Sequence, residues 1–204
     1  MLVLIDNYDS FTYNLYHMLC EYTKVVVKYN DSIDVESVIG LQPNAIVISP
    51  GPGCPPDSTG ICSDLVIKAS ENDIPVLGIC LGHQVIGDVF GGLIVPAPRI
   101  VHGKTSKIYH LHDLPTIMSI KGGCRLFEGI PSPFTATRYH SLVIDSNTFP
   151  NDELDITAWS NHNLIMGVQH KRYRIFGVQF HPESFKTSCG KIMIENFMKI
   201  ANIA

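Results

Sequence analysis

The sequence predicts an α/β protein with a mostly parallel central sheet, helices on both of its faces and an antiparallel extension. Up to Gly91, short apolar runs alternate with helical patterns, which implies crossover connections between parallel strands. These runs are apolar throughout, as expected for strands that helices cover on both faces. Beyond Gly91, strand-like runs follow one another with little helix between them. That change of pattern predicts the antiparallel or mixed extension.

The elements of the parallel part are predicted from apolar runs and helix-capping residues. Ser10 is predicted to be the N-cap of the first helix. The loop at 49–53 contains two prolines and two glycines and follows a buried-type strand. Strands are predicted at 2–5, 25–29, 45–49 and 75–79, and helices at 11–21, 34–40, 60–72 and from the segment 80–83 to about Phe90.

The later part is predicted to contain consecutive strands and one closing helix. That helix covers 189–200 and carries apolar side chains at helical spacing. Residues 111–125 form the one untidy stretch and are predicted to be a loop or flap. The strands are predicted at 93–95, 104–110, 135–139, 154–159, 164–170 and 175–180. With no repeat or linker, the chain is predicted to form a single domain over residues 1–204.

Composition excludes several functional classes. The formal net charge is −4 and the isoelectric point is near 6.1, which argues against nucleic acid as the main partner. No apolar stretch is long enough to span a bilayer, and the short apolar N-terminus is typical of a strand and not of a signal peptide. The six cysteines are dispersed and contain no C-x-x-C pair, which favours a reducing compartment with mostly buried thiols. We expect the cytoplasm, or the plastid stroma if the chain is organelle-encoded.

Cys80 is the candidate nucleophile. The segment Gly78-Ile79-Cys80-Leu81-Gly82 follows a strand and precedes a helix, in the form of a nucleophile elbow. Such a turn needs small flanking residues, and it places the cysteine at a helix N-terminus that favours a thiolate. The Leu81 N–H would point into the same space as an oxyanion donor. A buried structural cysteine is the alternative for any lone cysteine, and it stays the interpretation for the other five.

His181 and Glu183 are the candidate base and its orienting carboxylate. His181 ends an apolar strand, and Glu183 follows after one proline. Parallel sheets present functional groups at the carboxyl ends of strands, and the rigid proline lets Glu183 fold back to the imidazole. A strand-ending turn with a surface histidine and a capping glutamate is the alternative.

Other segments suggest weaker binding candidates. The Gly53 N–H, in the loop that follows a buried strand, is a candidate second oxyanion donor opposite Cys80. Gln84 lies one turn into the elbow helix and could hydrogen-bond an amide substrate. The backbone of 139–142, including Ser141 and Leu142, could bind an amino-acid zwitterion.

These residues carry a resemblance that covers nearly the whole chain. The segments that carry it are DNYDSFT (6–12), SPGPG (49–53), GICLGHQ (78–84), HGKTS (102–106), ATRYHSL (136–142) and GVQFHPES (177–184). The chain resembles the class I glutamine amidotransferases, and within them the small subunits of anthranilate synthase and aminodeoxychorismate synthase. That family has a flavodoxin-like α/β fold.

The resemblance implies a set of roles. Cys80 attacks the carboxamide of glutamine, His181 shuttles protons and Glu183 orients it. The amides of Leu81 and Gly53 hold the oxyanion, and Gln84, Ser141 and Leu142 bind the glutamine. Ammonia passes to a large chorismate-binding subunit, component 1, in a heterodimer or heterotetramer that HGKTS helps to form. No cofactor or metal is implied for this chain.

Two departures and several alternatives accompany the resemblance. The stretch Tyr109–Leu126 is longer than is usual in the subgroup, and Cys54 is given no role. The anthranilate branch, which leads to tryptophan, is favoured over the aminodeoxychorismate branch, which leads to folate; a subunit shared by both is the intermediate case. A stand-alone gamma-glutamyl cysteine hydrolase and a catalytically dead regulatory module are the remaining rivals. The second of these predicts loss of the triad, which this sequence retains.

Overall fold

The computed structural model describes residues 1–110 and 124–204. The predicted loop or flap at 111–125 therefore lies outside the described residues, apart from Cys124 and Arg125. The same holds for most of the lengthened stretch Tyr109–Leu126.

The described residues form eleven strands, five α-helices and one 3₁₀ turn at Arg125–Phe127. The strands are β1 Leu2–Asp6, β2 Val25–Tyr29, β3 Ala45–Ile48, β4 Val76–Ile79, β5 Ile94–Pro96, β6 Lys104–His110, β7 Phe134–Arg138, β8 Leu142–Ile144, β9 Leu154–Ser160, β10 Ile165–His170 and β11 Ile175–Val178. The helices are α1 Thr12–Cys20, α2 Val35–Gly40, α3 Cys62–Glu71, α4 Leu81–Val89 and α5 Gly190–Ile200.

The sheet confirms the predicted fold class. Nine strands lie in the order β2-β1-β3-β4-β11-β10-β9-β6-β7. The first five are parallel, and β10, β9, β6 and β7 add to them in antiparallel fashion. Both parts of the prediction, the parallel core and the antiparallel extension, are therefore confirmed.

Two local predictions were wrong. The run at 93–95 is not part of the main sheet: it forms β5, which pairs with β8 in a separate two-stranded sheet. Ser10 does not cap α1, because the N-cap is Phe11 and no side chain caps it. Instead the Phe11 N–H donates to the Asp9 carboxylate at 2.8 Å, and the Thr12 hydroxyl donates to Asp6 Oδ1 at 2.8 Å. The start of α1 is thus tied to the acidic residues that follow β1.

Apolar clusters cover both faces of the parallel strands. On one face, Leu4 and Val178 pack with Phe197 of α5. On the other, Ile48 packs with Leu65 of α3 and with Ile86 of α4. All are fully buried, which explains why the parallel strands are apolar throughout.

The register of β4 and β11 assembles the functional edge of the sheet. Gly78 pairs with Gly177 and Ile79 with Val178, so the residues that follow these two strands emerge side by side. The loops after β1 and β3 reach the same edge, since those strands are parallel to β4. Ligands of open α/β sheets bind at such carboxyl ends. No helix in the described ranges is long and apolar enough to cross a bilayer.

Candidate active site

Cys80 lies on the tight turn between β4 and α4. Its backbone has φ 52° and ψ −95°, and a positive φ is uncommon for a residue with a side chain. Such strain persists only where the surroundings enforce it, and it clusters at functional sites. The thiol is 8% exposed. The predicted elbow is therefore present, with Cys80 at the N-terminus of α4.

The glycines that flank Cys80 are required by close packing. A Cβ atom on Gly78 would lie 2.3 Å from the Gly82 carbonyl oxygen, and one on Gly82 would lie 2.6 Å from the Ile48 carbonyl oxygen. Both obstacles are backbone atoms and cannot rotate away. The sharpness of the turn thus depends on the absence of side chains at both positions.

We predict that Gly78→Ala lowers the free energy of unfolding by at least about 2 kcal/mol, because the backbone of the turn must move. A matched control is Gly40→Ala, since nothing lies within 4 Å of a Cβ added there; its effect should stay within about 1 kcal/mol. Urea unfolding of both variants measures the difference. Equal effects in the two variants would contradict the packing argument.

His181 and Glu183 form a buried pair. His181 Nδ1 lies 2.6 Å from Glu183 Oε1, with side chains 2% and 0% exposed. A carboxylate can only accept hydrogen bonds, so the His181 Nδ1 atom carries the proton. The backbone of His181 is held from both sides: its N–H donates to the Thr137 carbonyl at 3.0 Å, and the Thr187 hydroxyl donates to its carbonyl at 2.6 Å.

The charges of the buried histidines differ. Burial by itself lowers the pKa of His181, but interactions with the Cys80 thiol and the Glu183 carboxylate outweigh it and raise that pKa to about 10. Burial lowers the pKa values of His83 and His140 to about 3. His181 is therefore an imidazolium at neutral pH, while His83 and His140 are neutral.

Gln179 lies beside Cys80, and the sequence predicted no role for it. Gln179 donates from Nε2 to Cys80 Sγ at 3.6 Å and accepts at Oε1 from Gln84 Nε2 at 3.1 Å. Gln84 also donates to the Leu142 carbonyl at 3.1 Å. A signal for Gln179 exists in the sequence: it precedes His181 by two residues, and alternate residues of an extended chain face the same side.

Cys80 and His181 line one cleft of about 530 Å³. Tyr139 lies against the His181 ring, with centroids 5.1 Å apart, and Phe11 lies 6.0 Å from it on another side. The cleft is lined by Tyr8, Asp9, Ser10, Phe11, Pro50, Gly51, Pro52, Cys80, His102, Tyr139 and His181. The loops after β1 and β3 thus form one wall, opposite the reactive pair.

The predicted binding residues take different positions. Gln84 is buried and reaches Cys80 only through Gln179. Gly53 lines a neighbouring cavity with Tyr8 and Pro52, whereas Pro50, Gly51 and Pro52 line the cleft itself. Ser141 and Leu142 are not among the cleft-lining residues, and their carbonyl oxygens accept bonds from Ala97 and Gln84.

The other cysteines contrast with Cys80. All six thiols are free, and Cys20 alone is exposed. Burial raises the pKa of Cys62 and of Cys124 to about 12 in each case, so both stay protonated. Cys54 is partly exposed, and burial raises its pKa. Cys80 is the one cysteine among them that lines the cleft together with His181.

The arrangement is suited to acyl transfer. A thiol at a helix N-terminus, paired with an imidazolium, is the arrangement of an activated cysteine nucleophile. Leu81 is the first residue of α4, so its N–H is one of the donors that the helix leaves free for an oxyanion. Within the described ranges no group of three His, Cys, Asp or Glu side chains is placed to hold a metal ion.

Comparison with known families gives one match over almost the whole chain. The model of the family described as "Glutamine amidotransferase class-I" matches residues 3–201. Anthranilate synthase component 2 of Cyanophora paradoxa is 50% identical over 204 residues, which cover 99% of this chain and 100% of that protein.

Two further proteins are similar over comparable lengths. Aminodeoxychorismate synthase component 2 of Escherichia coli is 45% identical over 199 residues, covering 97% of this chain and 99% of that one. Among solved structures, that of a putative GMP synthase subunit from Thermoplasma acidophilum has a TM-score of 0.82 at 27% identity, covering 98% of this chain and 93% of that one.

Proposed function

Since this chain belongs to the class I glutamine amidotransferases, we propose that it hydrolyses L-glutamine and delivers the ammonia to a chorismate-aminating synthase subunit. The observation that carries this proposal is the placement of Cys80 on a strained elbow, in one cleft with an imidazole that Glu183 holds at 2.6 Å. That arrangement supplies a nucleophile, an acid and an orienting carboxylate in one place.

The reaction then proceeds in two stages. The Cys80 thiolate attacks the side-chain carbonyl carbon of glutamine, the Leu81 N–H stabilises the oxyanion, and the His181 imidazolium protonates the nitrogen that leaves as ammonia. A thioester between Cys80 and the γ-carboxyl carbon remains. Neutral His181 next removes a proton from water, which attacks the thioester. Glutamate leaves, the sulfur departs as a thiolate, and the His181 imidazolium of the starting state is restored. Glutamine and water give glutamate and ammonia, so no cofactor is needed.

The proposed glutamine site extends around the cleft. We assign Gly53 to the oxyanion together with Leu81, and Gln84, Ser141 and Leu142 to glutamine. Gln84 reaches Cys80 through Gln179, and Leu142 is bonded to Gln84, which supports a connected set. The Leu142 carbonyl already accepts from Gln84 and His140, so we assign its N–H to the substrate.

The synthase partner is proposed to be a component 1 subunit, in a heterodimer or heterotetramer. The relatives are named as component 2 of two synthases. The anthranilate branch is our first assignment, because the relatives from Cyanophora paradoxa and Porphyra purpurea, 50% and 48% identical, carry that name. The aminodeoxychorismate branch is the second, on the Escherichia coli relative. For the compartment we propose the cytoplasm or the plastid stroma; a rice relative, 48% identical, is named chloroplastic.

We predict that a glutamine analogue with an electrophilic side chain modifies Cys80 and spares the other five cysteines. Peptide mass spectrometry of the labelled chain measures this, and excess glutamine should protect the thiol. The synthase subunit should also stimulate glutamate release strongly. Full activity of the isolated chain on gamma-glutamyl peptides would instead indicate a stand-alone hydrolase, and absence of labelling with no turnover would indicate a dead regulatory module.

A further inference from the structure

A second cavity, of about 630 Å³, carries only positive formal charge at its wall. Arg99, Lys104, Lys107 and Arg138 line it, and no aspartate or glutamate does so among the described residues. The chain as a whole has a formal net charge of −4. The formal charge of the cavity wall is therefore opposite in sign to the net charge of the chain, which indicates an anionic occupant.

Arg138 is the buried member of this cavity. It is 2% exposed, and it donates from Nε to His140 Nε2 at 2.9 Å and from Nη1 to Ser106 Oγ at 3.2 Å. Its Nη2 has no hydrogen-bond partner among the described residues. Both partners of Arg138 are neutral, so nothing described compensates the guanidinium charge. A buried charge of this kind is costly unless a counter-charge reaches it.

The position of the cavity favours a protein as the source of that counter-charge. Cavity and cleft are lined by neighbouring residues: Val101 and Arg138 face the cavity, and His102 and Tyr139 face the cleft. A protein that receives ammonia from the cleft must cover its mouth and would lie over the cavity as well. Ile100, 73% exposed at the cavity wall, offers an apolar contact beside the charges.

We propose that the cavity receives a carboxylate side chain of the synthase subunit, which pairs with the Arg138 guanidinium while Lys104 and Lys107 flank it. Guanidinium and carboxylate groups form strong, directional pairs. The inference depends on the proposed function, because it names a contact between the two subunits.

The first test is the dissociation constant of the complex between this chain and the synthase subunit from the same organism. Arg138→Gln should raise this dissociation constant by about thirtyfold, as expected for loss of a desolvated charge pair. Lys104→Gln should raise it by about threefold, because Lys104 lies at the rim of the cavity. Lys24→Gln is the matched control, since Lys24 is exposed and lies at the opposite edge of the sheet, beside the start of β1. If Arg138→Gln unfolds, the dissociation constant of Lys104→Gln still tests whether the synthase subunit contacts the cavity.

A second test locates the carboxylate directly. A carbodiimide that joins a lysine amine to an adjacent carboxylate should link Lys104 or Lys107 to an aspartate or glutamate of the synthase. Links that form only at other lysines, or unchanged dissociation constants in both variants, would overturn the inference while leaving the proposed function intact. Tight binding of malonate that the synthase does not displace would assign the cavity to a free dicarboxylate and overturn it too. A chain that hydrolyses glutamine but binds no synthase would overturn both proposals.

Discussion

Cys80→Ala should abolish glutamine-dependent product formation by the complex, with a loss of at least about 10⁴-fold in kcat/KM. The reason is that no other group in the cleft can form the thioester. Gln179 donates to the sulfur and His181 lines the same cleft, but neither replaces the sulfur as a nucleophile. Glutamate release from glutamine, followed with the purified complex, measures the loss. Synthesis from added ammonium salts should persist, because that route bypasses the thioester.

The matched control for this prediction is Cys20→Ser. Cys20 is a free thiol at the end of α1, exposed and remote from the cleft lining, so its replacement should leave both activities unchanged. Substantial glutamine-dependent activity in Cys80→Ala would show that another nucleophile operates. Loss of the ammonia-dependent activity as well would show that the substitution disturbs the contact between the subunits instead of the chemistry.

The sequence predicts best those features that local chemistry dictates. The elbow needed two glycines around one residue, and the structure shows why: backbone atoms lie within 2.3 Å and 2.6 Å of the missing side chains. The parallel strands were recognisable because helices on both faces leave no polar alternation in them. Likewise, Pro182 keeps His181 and Glu183 close enough for a 2.6 Å hydrogen bond.

The features that the sequence did not predict depend on contacts between distant segments. Gln179 acquires its place at Cys80 from the register of β11 on β4. Its spacing from His181 indicates only which side it faces and does not predict the contact with the sulfur. β8 is three residues long and exists through its pairing with β5. Arg138 sits in a strand predicted from its pattern alone, yet its free Nη2 becomes apparent only once β6 and β7 form the cavity wall.

Glu183→Gln should lower the kcat of glutamine hydrolysis by about 10²- to 10⁴-fold while it preserves the shape of the site. The amide oxygen of the new Gln side chain can still accept a hydrogen bond from the Nδ1–H of His181, but it brings no negative charge. Without that charge, the interaction with Glu183 no longer raises the pKa of His181, which therefore falls from about 10. The ring then loses its proton at lower pH, so the imidazolium that must protonate the leaving ammonia becomes scarce.

The pH dependence distinguishes this charge effect from a simple packing defect. In the wild type, the pKa of His181 in the folded state lies above that of a free histidine. Its protonation therefore stabilises the fold fully below about pH 6.5. This contribution disappears as the pH rises through about 10. The difference in free energy of unfolding between wild type and Glu183→Gln should therefore be large at neutral pH and narrow above about pH 10. The alkaline limb of the kcat/KM profile should move to lower pH in the variant. A pH-independent stability difference, with an unmoved alkaline limb, would show that Glu183 acts through packing and not through its charge on His181.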